Sequence, residues 1–199
     1  MSIDPADSVP DSTPPESAST PPPGRKEPLR LHIGGDKIRT GWKILNIQPK
    51  PGVDFIGNCV DLSQFADNSV TEIYSSHTYE HLDYLAELPT ALGEAFRVIK
   101  RGGILRAGVP DLDVLCRLFL DQKLTLRDRI RVMRMMFGAH FDKFDYHHVG
   151  LNFEIFSMFL SQAGFTNIRR VPEFGLFDDH TSQRYAGVLI SLNVVALKP

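Results

Sequence analysis

The sequence is poor in cysteine, in long apolar runs and in net charge, and each shortage removes a class of protein. Cys59 and Cys116 are too few and too far apart for a disulfide framework or a zinc site, so reduced, packed thiols are expected. No apolar run approaches the roughly 18 residues that a membrane helix needs. The N-terminus lacks the basic-then-apolar pattern of a secretory signal, and its Asp4, Asp7, Asp11 and Glu16 argue against a basic transit peptide. The expected location is therefore cytoplasmic, without membrane attachment. A formal net charge of −2 offers little attraction to phosphate backbones, so no nucleic-acid partner is expected. One basic stripe exists, Arg127, Arg131 and Arg134 at i, i+4, i+7, and it reads as the solvated face of an amphipathic helix.

What is present suits one α/β domain. Residues 1–28 hold eight of the fourteen prolines and almost no large apolar side chains, so they cannot offset the entropy of ordering and are expected to be a disordered tail. From Leu29 to the end, at 199, short apolar runs alternate with helical periods. Strands are expected at Leu29–Ile33, Ile44–Ile47, Val53–Ile56, Glu72–Ser75, Ile104–Val109, Ile168–Val171 and Leu189–Leu197. Leu88, Leu92, Ala95, Phe96 and Ile99 share one face of a helix between about Leu82 and Ile99, with Pro89 near its first turn. Lys100-Arg101 suit that helix's negative end, and Gly102-Gly103 are expected to stop it. Further helices follow Pro110-Asp111, cover about Arg127–Phe137, and carry Phe156, Phe159, Leu160 and Ala163 inward before Gly164. Strands alternating with helices imply a mainly parallel sheet covered on both faces.

In such sheets ligands sit beyond the carboxyl ends of the strands. Those ends are Gly34-Gly35, Asn46, Asn58, Ser75-Ser76-His77 and Pro110-Asp111. The interval from Gly34 to Trp42 is only nine residues, whereas a crossover between parallel strands takes a dozen or more, so the first helix must be missing or cut to about one turn.

The order of motifs resembles the class I methyltransferases that use S-adenosylmethionine, especially the type 11 small-molecule group. The pieces are Leu31-His32-Ile33-Gly34-Gly35, Gly41-Trp42 leading to Asn46-Ile47, Asp61-Leu62, and Phe65-Ala66-Asp67-Asn68-Ser69-Val70. Then come Glu72-Ile73-Tyr74-Ser75-Ser76-His77, Glu80-His81-Leu82, Arg97-Val98-Ile99-Lys100 with Gly102-Gly103, and Val109-Pro110-Asp111-Leu112. The resemblance implies a Rossmann-like sheet of seven strands, the last antiparallel, with helices on both faces, and S-adenosyl-L-methionine as cofactor. It implies that Gly34 and Gly35 lie beside the cofactor's methionine part, Asn46 at the ribose, Asn58 at the adenine, and Ser76 and His77 at the border with the acceptor. The departures from the family pattern are Asp36 where a further glycine is usual, Asn46 in place of an acid, and the shortened crossover.

Methyl transfer is an in-line displacement, and a general base helps when the acceptor is a hydroxyl or protonated amine. His77, and His147 within Asp142–Gly150, are the candidate acceptor-side residues; Phe141, Phe144 and Tyr146 beside His147 would favour an apolar or ring-bearing acceptor. His77 and His81 stand four apart, a spacing that can bind metal, but no third ligand is evident, so no metal is expected. The leading expectation is methyl transfer to a small-molecule acceptor. Asp36, Asn46 and the lost helix equally suit a methyltransferase-fold binding or scaffold module that no longer catalyses. A dinucleotide oxidoreductase is disfavoured, because so short a crossover leaves little helix to receive a pyrophosphate.

Overall fold

The computed structural model describes residues 28–199, so the expected tail falls almost wholly outside the described residues. Six strands and the last long one form a single sheet. They are β1 (Leu29–Ile33), β2 (Lys43–Asn46), β3 (Phe55–Ile56), β4 (Val70–Ser76), β5 (Ile99–Pro110), β6 (Thr166–Val171) and β9 (Ser191–Leu197). A small ribbon, β7 (Arg184–Tyr185) with β8 (Val188–Leu189), stands apart. The sheet order is β3-β2-β1-β4-β5-β9-β6. Neighbours are parallel except at β9, which runs antiparallel to both β5 and β6. The chain reverses its direction of winding between β1 and β4, and the cleft of an open sheet lies there.

The helices are α1 (Glu87–Val98), α2 (Leu112–Leu120), α3 (Leu126–Phe137) and α4 (Phe153–Gln162). The last three have a side-chain cap at their start. Asp111 accepts from the N–H groups of Asp113 and Val114, Thr125 and Asp128 form a capping box, and Asn152 accepts from Ile155. Leu88, Leu92 and Ala95 of α1 and Phe156 and Leu160 of α4 pack on Leu31, Ile33, Ile73, Leu105 and Val194, all buried, to form the main core on one face of the sheet.

Pleating sends His32 and Tyr74 to the opposite face. The connection from β1 to β2 contains no helix, as its length required. Its place is taken from far along the chain. Phe177 packs its ring 4.3 Å from His32, 4.7 Å from Tyr74 and 5.5 Å from Trp42, and Phe174 lies 5.5 Å from Tyr74. The Tyr74 hydroxyl donates to Asp179 at 2.6 Å, and Arg39 donates to the Leu176 carbonyl. Farther down the same face stand charges: Arg106 pairs with Glu72, and Arg30 lies 3.9 Å from it.

Several boundaries differ from expectation: α1 begins at Glu87 and not near Leu82, β3 is only Phe55–Ile56, and Leu189 belongs to β8 instead of opening the last strand. Helix α1 stops at Val98, and Lys100, Arg101, Gly102 and Gly103 belong to β5. The cation at its C-terminus is Lys198, only 8% exposed, whose Nζ donates to the carbonyls of Phe96 (2.7 Å) and Arg97 (3.3 Å) and to Asn68 Oδ1 (2.9 Å). Gly103 is needed for close packing instead, since a Cβ there would lie 2.8 Å from the Thr71 carbonyl oxygen. Replacing Lys198 with Met is expected to leave those carbonyls unpaired and lower stability by about 2 kcal/mol. A thermal melt should show the midpoint falling by about 5 °C.

Candidate active site

Every strand end singled out from the sequence lies along the carboxyl edge of the sheet. Gly34 leaves β1 with φ +75°, and a Cβ there would overlap the Thr78 hydroxyl. At Gly35 a Cβ would overlap the His32 ring. The loop therefore needs glycine at both positions. Asn46, 6% exposed, holds this loop in place: its amide nitrogen donates to the carbonyls of Gly35 (2.9 Å) and Gly34 (3.2 Å). Its amide oxygen accepts from Gln48 N at 2.9 Å. A carboxylate could not donate to those carbonyls, which explains the amide at this position. Asn58 turns the chain after β3 by accepting from Val60 N at 3.2 Å.

Two cavities open on this edge and share Gly34, His77 and His81. The smaller, about 430 Å³, is bounded by Asn46, Asn58, Cys59 and Leu82, with Phe144 and Tyr146 across from them. The larger, about 790 Å³, is bounded by Gly35, Ser76, Glu80, His147 and His180. Both are of the size that holds small molecules, roughly 300–1,000 Å³. The aromatic residues expected near an acceptor thus face the smaller chamber, and Phe141 stands in solvent beside Arg134, 5.1 Å from its ring.

Five of the seven histidines, namely His32, His77, His81, His147 and His180, line the larger cavity, so its chemistry is dominated by imidazole. His77 does not share a helix face with His81; it sits in the left-handed region, φ 51°, before the 3₁₀ turn Tyr79–His81. Its Nε2 lies 3.2 Å from Ser191 Oγ and its Nδ1 lies 3.3 Å from Glu80 Oε1. The second contact brings the ring against the Glu80 carboxylate. Glu80 is 1% exposed, and neither of its oxygens has a hydrogen-bond partner among the described residues. Burial pushes its carboxyl up, but His77, with His81 and His147 behind it, outweighs this and holds it below the usual range.

His147 reaches this cluster from the other side. The segment after α3 is tied down by His148 N donating to the Glu80 carbonyl at 2.8 Å and His147 N donating to Phe137 O at 3.1 Å. The His147 ring stands edge-on to His81 at 4.8 Å, and its Nδ1 is buried without a partner among the described residues. Burial lowers the His147 pKa, Glu80 opposes this, and His81 and His77 add to it, so the ring is neutral at pH 7. Ser76 Oγ is likewise buried without a partner among the described residues. Cys59 is buried, and burial pushes its thiol up to about 12, which makes it inert. Sequence reasoning had both ends of the cluster, His77 and His147, but not Glu80 between them; its adjacency to His81 was the available signal.

This sheet, with β9 alone reversed and a cleft between β1 and β4, is the class I methyltransferase fold. Residues 41–107, about a third of the chain, match the methyltransferase domain family. Solved structures agree on the fold. A SAM-dependent methyltransferase from Archaeoglobus fulgidus is 14% identical, with 86% of each chain covered and a TM-score of 0.54. A SAM-dependent methyltransferase from Thermotoga maritima is 18% identical, covering 88% of this chain and 84% of that one, with a TM-score of 0.53. A structure of the Haloferax volcanii Trm112 methyltransferase activator with a methyltransferase is 13% identical, covering 89% and 84%, with a TM-score of 0.53. No curated protein matches the sequence. No helix among the described residues is long and apolar enough to cross a membrane.

Proposed function

We propose that the chain binds S-adenosyl-L-methionine in the smaller chamber and transfers its methyl group to a small molecule in the larger one. The observation that carries this reading is the pair of joined cavities meeting at Gly34 and His77, at the strand ends where ligands of this fold class sit. The residues present fit the cofactor: Gly34 borders both chambers, and Ser76, in the wall of the larger one, offers a hydroxyl without a partner among the described residues. In this reading Asn58, with Phe144 and Tyr146 opposite, would hold the adenosine, and Gly34, Gly35 and Ser76 the methionine part. Asn46 contributes by positioning Gly34 and Gly35, with one lone pair of its oxygen left for a hydroxyl. The bound sulfonium supplies an activated methyl group and its leaving group. The protein's part is to exclude water, orient the acceptor and receive its proton, and neutral His147, with His77 beside it, suits the last task.

Calorimetric titration with S-adenosylhomocysteine tests this. One-site binding is expected, weakened about tenfold in Asn58→Ala by the loss of one ligand hydrogen bond. No heat up to millimolar ligand would favour the alternative, a binding or scaffold protein. The commitment of the Asn46 amide to its own backbone is what favours that second reading.

A further inference from the structure

We propose that Glu80, His81 and His147 hold a divalent transition-metal ion of the zinc or iron type in the wall of the larger cavity. The ligand atoms of these three residues already lie within 4.8 Å of one another. In a tetrahedral zinc site neighbouring ligand atoms stand about 3.4 Å apart, so side-chain shifts of about an ångström close the set on an ion.

Three further observations point to a cation rather than to a merely packed cluster. First, Glu80 is a buried carboxylate whose Oε1 faces His77 Nδ1 at 3.3 Å and whose Oε2 has no partner among the described residues, and an anion so incompletely satisfied is costly unless a cation compensates it. Second, His81 Nδ1 lies 3.0 Å from the Tyr146 carbonyl oxygen. A carbonyl can only accept, so this nitrogen carries the proton and leaves the Nε2 lone pair free. That carbonyl-to-imidazole contact is how metal-binding histidines are usually oriented. Third, His147 Nδ1 is buried and unpartnered among the described residues, and its backbone segment is fastened to the Glu80 carbonyl through His148. The two halves of the set are therefore held in register by main-chain bonds.

Imidazole donors suit zinc, iron, copper or nickel, whereas magnesium, calcium and manganese favour oxygen ligands. Two imidazoles and one carboxylate leave coordination positions open, as in catalytic rather than structural sites. His77, with Nδ1 3.3 Å from Glu80 Oε1, borders them. Resting on the methyl-transfer reading, the open positions take the oxygen of a hydroxyl-bearing acceptor. His147 is then committed to the ion, and the O–H proton, made more acidic by the cation, passes to His77. The oxygen lone pair forms the new bond to the methyl carbon, and the carbon–sulfur bond breaks with its electron pair going to sulfur.

The test uses the full chain, stripped with EDTA and free of any histidine tag, titrated calorimetrically with zinc chloride, manganese chloride and magnesium chloride. One zinc per chain is expected, magnesium should not bind comparably, and Glu80→Gln and His147→Gln should each weaken zinc more than tenfold. His140→Ala, outside the cluster, should leave it unchanged. Cobalt(II) provides a second readout through visible absorption bands that Glu80→Gln abolishes, and thermal melts establish that each variant is folded; should Glu80→Gln unfold, His81→Gln replaces it. Absence of stoichiometric zinc uptake, or uptake equally strong in the cluster variants, overturns the proposal. Adding S-adenosylhomocysteine to the same samples separates the two readings. Metal uptake without nucleoside binding removes the cofactor reading alone, and nucleoside binding without metal uptake removes the metal site alone.

Discussion

Gly34→Ala is expected to destabilise the protein by about 3–4 kcal/mol. Two causes add. A residue with a Cβ at φ +75° costs about 1–2 kcal/mol, and driving that Cβ into the Thr78 hydroxyl costs roughly 1–3 kcal/mol more as overpacking. The causes are separable. Adding Thr78→Ala removes the hydroxyl and leaves the Thr78 Cβ position, 3.3 Å away, as the near neighbour. The double variant should therefore recover the steric part and keep the dihedral part. Urea midpoints for the four proteins of this cycle measure both. Additive losses, with no recovery, would show that Thr78 is not what the glycine accommodates.

The second large effect is acid lability from His32. This ring is 3% exposed against Tyr74 and Phe177, and burial lowers its pKa from 6.5 to about 4, with Asp179 and Asp36 opposing the shift. The folded state thus binds its proton later than the unfolded state as pH falls. Between about pH 6.5 and pH 4 the unfolded chain holds more protons, so stability declines through that window and is fully present above it. Two and a half pH units correspond to about 3 kcal/mol. Unfolding in urea at pH 7 and pH 4.5 should show most of this loss, and His32→Asn, which cannot titrate, should flatten the difference. An unchanged pH dependence in the variant would assign the lability to other groups.

The parts of this molecule that were legible in its residues are those fixed by neighbours in sequence. The alternation of Leu29–Ile33, the caps at Asp111 and Thr125, and the nine-residue limit on the first crossover each act within a few residues. They led to the sheet, the helices and the bare β1–β2 connection. The strand-end residues Gly34, Asn46, Asn58, Ser76 and His77 followed from the same logic, because a strand's last residue must lie on the sheet's edge. Long-range closure was not legible. Lys198 reaches the end of α1 from a hundred residues away, so Lys100-Arg101, adjacent in sequence, looked like the natural cations. The β7–β8 ribbon and the Phe177 plug carry no periodic signal, since their side chains are set by a surface built elsewhere. Glu80 stood in the Glu80-His81-Leu82 motif, but its place in the cluster was not legible, for a related reason. A glutamate beside a histidine is ordinary in sequence, and only the fold reveals that His147 closes over it and shuts out solvent.

Substituting a distant hydrophobic plug for a missing local helix has a consequence for synthesis. The pocket floor formed by His32, Trp42 and Tyr74 is made early, while the ring that covers it arrives more than a hundred residues later. A chain emerging from a ribosome would carry that sticky floor uncovered until nearly its whole length had appeared. Proteins with such late closure fold slowly and expose themselves to aggregation on the way. The charged triplet Arg30, Glu72 and Arg106 on the same surface is well suited to keep the waiting floor in solution.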